Sequence, residues 1–236
     1  MKRIISITLA VLCIAATLCS CSKKADESAT TAPSATVSET GEKVLTSQNG
    51  EFDYVVLADG TAKIVKYKKA LDKDLEIPVT IDSKYKVTVI GENTFTDELK
   101  SDKNVTVKLP RTLTKIESRA FNKSNVYQIL FHEPNEDIET VIESYAFSDC
   151  DNLTAVKFSS SIKRLEACTF YHGNMPKFIT FSVDPNYIDA MALDTGKSYK
   201  ELKINHIGDI SNFKNLEAYA ALYNIELVLK TSTVEK

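Results

Sequence analysis

The chain has 236 residues and 43% apolar content, enough to bury a real core in one or two domains. A formal net charge of −3 excludes the basic excess of a nucleic-acid binder, and only 7 glycines leave no room for glycine-rich nucleotide loops. Of the five cysteines, Cys13, Cys19 and Cys21 crowd the start and only Cys150 and Cys168 lie in the body, which excludes a disulfide framework.

Lys2 and Arg3 precede an apolar run from Ile4 to Leu18. That run is too short to span a bilayer and has the length of a secretory signal, so residues 1–20 read as a signal peptide. Removing it leaves 27 basic against 32 acidic side chains, a mildly acidic mature protein. The run closes on Leu18-Cys19-Ser20-Cys21, which resembles the bacterial lipobox. The resemblance implies that the Cys21 thiol carries palmitate-class acyl chains, and two or more such chains hold a protein stably to a membrane. Residues 21–48 lack aromatics and have few large aliphatics, so they read as a disordered tether that reaches roughly 90–100 Å if fully extended.

From Phe52 to Tyr67 two β-rich runs flank Asp59-Gly60, a hairpin signal placed to cap the first unit of the body. One phrase then recurs four times, an aliphatic with Phe five residues later: Ile90 to Phe95, Ile116 to Phe121, Ile142 to Phe147 and Leu165 to Phe170. The phenylalanines lie 26, 26 and 23 residues apart, a period that predicts a solenoid of stacked coils. Upstream in each unit an apolar alternation predicts a short strand: Leu75/Ile77, Val107/Leu109, Ile129/Phe131 and Val156/Phe158. Pro78 and Pro110 end two of these strands, and insertions lengthen the first and third units.

Phe181 to Tyr187 predicts a closing strand and turn. Ser211 is placed to N-cap a helix that lines up Phe213, Leu216, Ala220 and Tyr223 on one face, with Asn224 as a left-handed stop. Ile225, Leu227 and Leu229 then alternate in a final strand. The expected organisation is a mainly β repeat solenoid over residues 49–187, with a C-terminal helix-strand cap over 188–236.

The repeated phrases resemble the BspA-type leucine-rich repeat of bacterial surface proteins, most closely at Ile142 to Thr154. Only Gly91 keeps that family's glycine; Glu117, Glu143 and Glu166 replace it, which predicts altered local turns there. The resemblance implies a surface-displayed, non-enzymatic protein that binds or adheres to a protein ligand on a host, a neighbouring cell or the envelope. It also implies a buried structural role for Cys150, and Cys168 reads likewise as a small apolar core residue.

On the strand face that points away from the core, Glu76, Lys108, Leu130, Lys157 and Thr180 form one strip. It reads either as a solvated sheet surface or as a recognition face for a protein with acidic or carbonyl groups. A carbohydrate-binding module is the alternative. The absence of Trp among 20 aromatics weighs against it and would leave Tyr127, Tyr171 or Tyr199 to stack on a sugar. His132, His172 and His206 have no metal-ligand spacing and read as solvent-facing or turn residues; no nucleophile phrase occurs, and no cofactor is implied. Glu143, Asp149 and Asp151 read as a solvated corner.

Overall fold

A computed structural model describes residues 43–96, 102–132, 138–159, 161–206 and 213–231. All of them fall in the unit Ala35–Lys236. The signal peptide, Cys21, most of the tether and Ser211 lie outside the described residues. In chain order the elements are β1 (Leu45–Thr46), β2 (Phe52–Val56), β3 (Ala62–Tyr67), β4 (Leu75–Glu76), β5 (Thr80–Ile81), β6 (Tyr85–Ile90) and β7 (Val105–Leu109). Next come β8 (Lys115–Ile116), β9 (Val126–Phe131), β10 (Glu139–Ile142), β11 (Ala155–Phe158), β12 (Ser161–Leu165), β13 (Phe178–Phe181), β14 (Glu201–His206), α1 (Lys214–Tyr223) and β15 (Glu226–Thr231). Among the described residues no helix is long and apolar enough to cross a membrane.

From β4 to β12 each coil contributes one strand to each of two sheets. The first runs β4-β7-β9-β11-β13-β14-β15, parallel throughout; the second runs β1-β2-β3-β6-β8-β10-β12, with β5 paired to β6. The expected strands at Leu75, Val107, Ile129 and Val156 pair in register, as the alternation requires. The aliphatic that opens each phrase stacks in the second sheet: Ile64 on Ile90, Ile90 on Ile116, Ile116 on Ile142, Ile142 on Leu165, and Leu165 bridges to Ile188.

The phenylalanines that close the phrases form a buried column. Phe95, Phe121, Phe147 and Phe170 stack in sequence with ring centroids 4.7, 5.2 and 5.6 Å apart, and Tyr67 and Phe52 continue the column into the cap. A second column, Phe131, Phe158, Phe181 and Phe213, fills the other half of the core at 5.2, 4.8 and 5.7 Å. Offset and tilted ring pairs at these distances add to the gain from area burial alone.

The N-terminal cap is the expected hairpin. β2 and β3 pair antiparallel, and Gly60 at φ +80° supplies the left-handed residue of a three-residue loop closed by Leu57 N–H to the Thr61 carbonyl at 2.8 Å. β1 adds a third strand through Leu45 opposite Tyr54, so the last residues of the segment read as tether belong to the cap. The insertion in the first unit is the β5–β6 hairpin, and it is tied to the cap by Tyr54 Oη donating to Asp82 at 2.8 Å.

The expectation of altered turns at Glu117, Glu143 and Glu166 is not met. The left-handed residue of each turn is two positions later, at Asn93, Arg119, Tyr145 and Cys168, so the glycine position itself has no conformational need for glycine. Each glutamate instead reaches back one coil to accept a backbone N–H: Glu117 from Glu92 at 3.2 Å, Glu143 from Ser118 at 2.9 Å and Glu166 from Ser144 at 3.3 Å. Gly91 is retained for another reason, since a Cβ there would come within 2.8 Å of the Ile64 carbonyl oxygen in the cap.

At the C-terminal end α1 stops at Asn224 with φ 55°, as its sequence predicts. Phe213, Leu216 and Ala220 are buried, but Tyr223 is 55% exposed and Tyr219 takes the buried place. The helical face is therefore rotated from the expected one. β14 and β15 continue the parallel ladder beyond the closing strand at Phe181.

Candidate functional site

The strip predicted from alternation is a single register-locked row. Glu76 pairs with Lys108, Lys108 with Leu130, Leu130 with Lys157, and Lys157 with Thr180. The row continues through Asn205 and Lys230, which alternation in the sequence does not reach, and Asn205 Nδ2 donates to Thr180 Oγ1 at 3.2 Å. With strands about 4.8 Å apart, seven positions make a row about 29 Å long and set Lys108 and Lys157 about 10 Å apart.

A shallow depression of about 190 Å³ lies on this row, lined by Lys108, Leu130, His132, Lys157 and Ser159. His132 Nε2 stands 3.3 Å from Glu76 Oε1. Lys108 and Lys157 are exposed, and among the described residues no carboxylate pairs with either. Lys63, Lys115, Lys163 and Arg164 on the second sheet, by contrast, all meet glutamates at 2.6–3.8 Å.

The adjacent row on the same face carries Ala155, Phe178, Lys203 and Val228. Phe178 is 56% exposed, the large apolar side chain that this sheet turns to solvent. Its register places it beside Ala155, two residues along the strand from Thr180 and diagonal to Lys157. The face therefore joins two lysines, neither in an ion pair among the described residues, to a branched aliphatic and an exposed aromatic ring.

The remaining expected groups do not converge. His172 lies 3.8 Å from Asp149, Asp151 pairs with Lys197 at 2.8 Å and Glu143 with Lys115 at 2.6 Å, so the acidic corner is split among three separate partners. Contrary to the expectation of a solvent-facing or turn residue, His206 is 1% exposed and takes the inward place held by Phe158 and Phe181 in earlier coils, 5.3 Å from the Phe213 ring. Cys150 is buried and donates to the Phe121 carbonyl at 2.9 Å, whereas Cys168 is only half-buried because it occupies the left-handed corner of its turn. Among the described residues no three His, Cys, Asp or Glu side chains gather as metal ligands. Tyr127, Tyr171 and Tyr199 are half-buried on different elements: Tyr127 on β9, Tyr171 edge-on to Tyr145 at a coil corner, and Tyr199 bonded to the Leu193 carbonyl near the C-terminal end.

With the coils and their corners defined, the chain matches the BspA type leucine rich repeat region in six copies, over residues 75–194 and 135–231. The chain belongs to the BspA-type leucine-rich repeat family. A solved leucine rich cell surface protein from Faecalibacterium prausnitzii A2-165 is similar at 18% identity and a TM-score of 0.47. The match covers 80% of this chain and 55% of that one, so the BspA-type chain spans just over half the length of that protein. No curated protein sequence matches the chain significantly. The repeat match extends past Phe181 to residue 231, in line with the BspA-type array carrying its ladder into β14 and β15.

Proposed function

We propose that this BspA-type protein is a lipid-anchored, non-enzymatic surface protein that binds a protein ligand along the outer face of the first sheet. The observation that carries the reading is the pair of exposed lysines, Lys108 and Lys157, held in register on either side of Leu130 and left without carboxylate partners among the described residues. A rigid parallel ladder fixes those side chains in advance of binding, which lowers the ordering cost of an interface. The partner matched to the face has carboxylates spaced about 10 Å apart around an apolar side chain, the separation of two strands. It belongs to a host, a neighbouring cell or the envelope itself.

A photo-crosslinking residue placed at Leu130 of the full chain is expected to capture the ligand from intact cells. The same residue at Val141, on the second sheet, is expected to capture nothing. Capture from Val141 alone would place binding on the other sheet and overturn the reading.

Lipid attachment at Cys21 and a tether ahead of the array support display away from the membrane. Cys21→Ser is expected to move the protein from the membrane fraction to the soluble fraction and to abolish metabolic labelling with a palmitate analogue. Retention of both label and membrane association in that variant would refute anchoring through Cys21.

A further inference from the structure

A depression of about 270 Å³ opens at the C-terminal end, between the loop that precedes β14 and the last turn of α1. We propose that it is a binding pocket for a neutral pyranose sugar, separate from the sheet face assigned to a protein ligand. Its size suits one ring, since pockets for drug-sized molecules run from about 300 Å³ upward.

Its lining divides into an aromatic side and a polar rim. Tyr219 and Tyr223 stand with ring centroids 4.8 Å apart at 41°, and Tyr199 closes the side toward the loop. Tyr223 is 55% exposed, so an aromatic face is open to a ligand. The rim is Asp194, Lys197 and Ser198. A pyranose has the matching form: one face of C–H groups to lie on an aromatic ring and a circumference of hydroxyls to meet carboxylate, ammonium and hydroxyl groups.

The pocket is built in advance. Asp194 accepts the Gly196 N–H at 2.8 Å, Lys197 Nζ is held by Asp151 at 2.8 Å, and the loop crosses Tyr171 so closely that a Cβ on Gly196 would lie 2.9 Å from that ring. The Tyr199 hydroxyl donates to the Leu193 carbonyl at 2.8 Å. Burial pushes the Tyr199 phenol up to about 12 and raises that of Tyr219 further, so both stay neutral hydrogen-bonding groups across the physiological range. Lys197 is already paired with Asp151, so Asp194 leaves the rim weakly acidic, which disfavours an anionic ligand and leaves a neutral, hydroxyl-rich one. The lack of Trp argues against sugar stacking from composition alone, but the fold brings together three tyrosines that are 20 and 4 residues apart in the chain.

Saturation-transfer NMR on the full chain tests this, with the methyl glycosides of glucose, galactose, mannose and N-acetylglucosamine as probes. At least one glycoside is expected to receive saturation at its C–H face, with complete loss of transfer in Tyr223→Ala and reduced transfer in Ser198→Ala. Lys108→Glu with Lys157→Glu is expected to leave the transfer unchanged, so this assignment and the sheet-face reading fail independently. Thermal unfolding checks that Tyr223→Ala keeps the fold. Absence of transfer to all four glycosides, or equal transfer in a folded Tyr223→Ala, overturns the proposal. Perturbation of the Tyr219 and Tyr223 ring signals by a proline-rich peptide and by no glycoside overturns it as well, and makes the pocket a protein subsite.

Discussion

Replacing Phe147 by Ala is expected to destabilise the array by about 3–5 kcal/mol, the range for removing a large buried aromatic. Phe147 is fully buried, with its ring 5.2 Å from Phe121 and 5.6 Å from Phe170, so its loss leaves a void in the middle of the column and strands a neighbour on each side. Against a typical total stability of about 5–15 kcal/mol this is a large share. In a chain of coils that contact chiefly their neighbours, a defect at the centre also weakens the coupling between the two halves. Phe178→Ala provides the control: that ring is 56% exposed, and its loss is expected to change stability by no more than about 0.5 kcal/mol. Urea titration monitored by circular dichroism measures both. Equal midpoints for the two variants would show that the column does not hold the coils together.

The periodic core is legible in the sequence because the same physical demand recurs in every coil. An inward aliphatic and an inward ring five residues later must both be apolar, so Ile90, Ile116, Ile142 and their phenylalanines announce the period. The coil from Ile188 to Leu193 is hidden because its closing residue is Leu, although Leu193 is buried as the phenylalanines are. Glu in place of Gly misleads for a different reason. The glycine in this motif answers a close approach at one junction, Gly91 against Ile64, and spacing along the chain does not reveal such an approach.

The site is legible only as a row. Alternation assigns Glu76, Lys108, Leu130, Lys157 and Thr180 to one face once the strands are placed, and the observed register agrees with that assignment. Phe178 and Phe181 are three apart on one strand and so point to opposite faces, but composition cannot say which ring is buried. The packing of Phe181 between Phe158 and Phe213 decides it and leaves Phe178 outside. The buried place of Tyr219, rather than Tyr223, likewise depends on how α1 settles on the last coils, and a helical repeat of 3.6 cannot fix that rotation from one turn.

Reversing both lysines, Lys108→Glu with Lys157→Glu, is expected to weaken ligand binding by about fivefold to several-hundredfold while leaving the fold intact. An exposed ion pair contributes about 0.2–1 kcal/mol, and reversal replaces that attraction by a repulsion of similar size. Two such changes amount to roughly 1–4 kcal/mol, and each 1.4 kcal/mol is about tenfold in affinity. Neither lysine has a carboxylate partner to lose among the described residues, so the fold gives up no ion pair when the charges are reversed. The loss should fall mainly on the association rate and shrink as salt is raised, because solvent-exposed charges steer encounter and are screened within about 8–10 Å at physiological ionic strength. Leu130→Ala separates the apolar contribution: its effect should fall on dissociation and persist at high salt. Surface plasmon resonance of the full chain against the crosslinked partner, at two salt concentrations, reads all three variants. Unchanged affinity in the double reversal would remove the first sheet from the interface. A loss that does not respond to salt would mean that the lysines act through packing and not through charge.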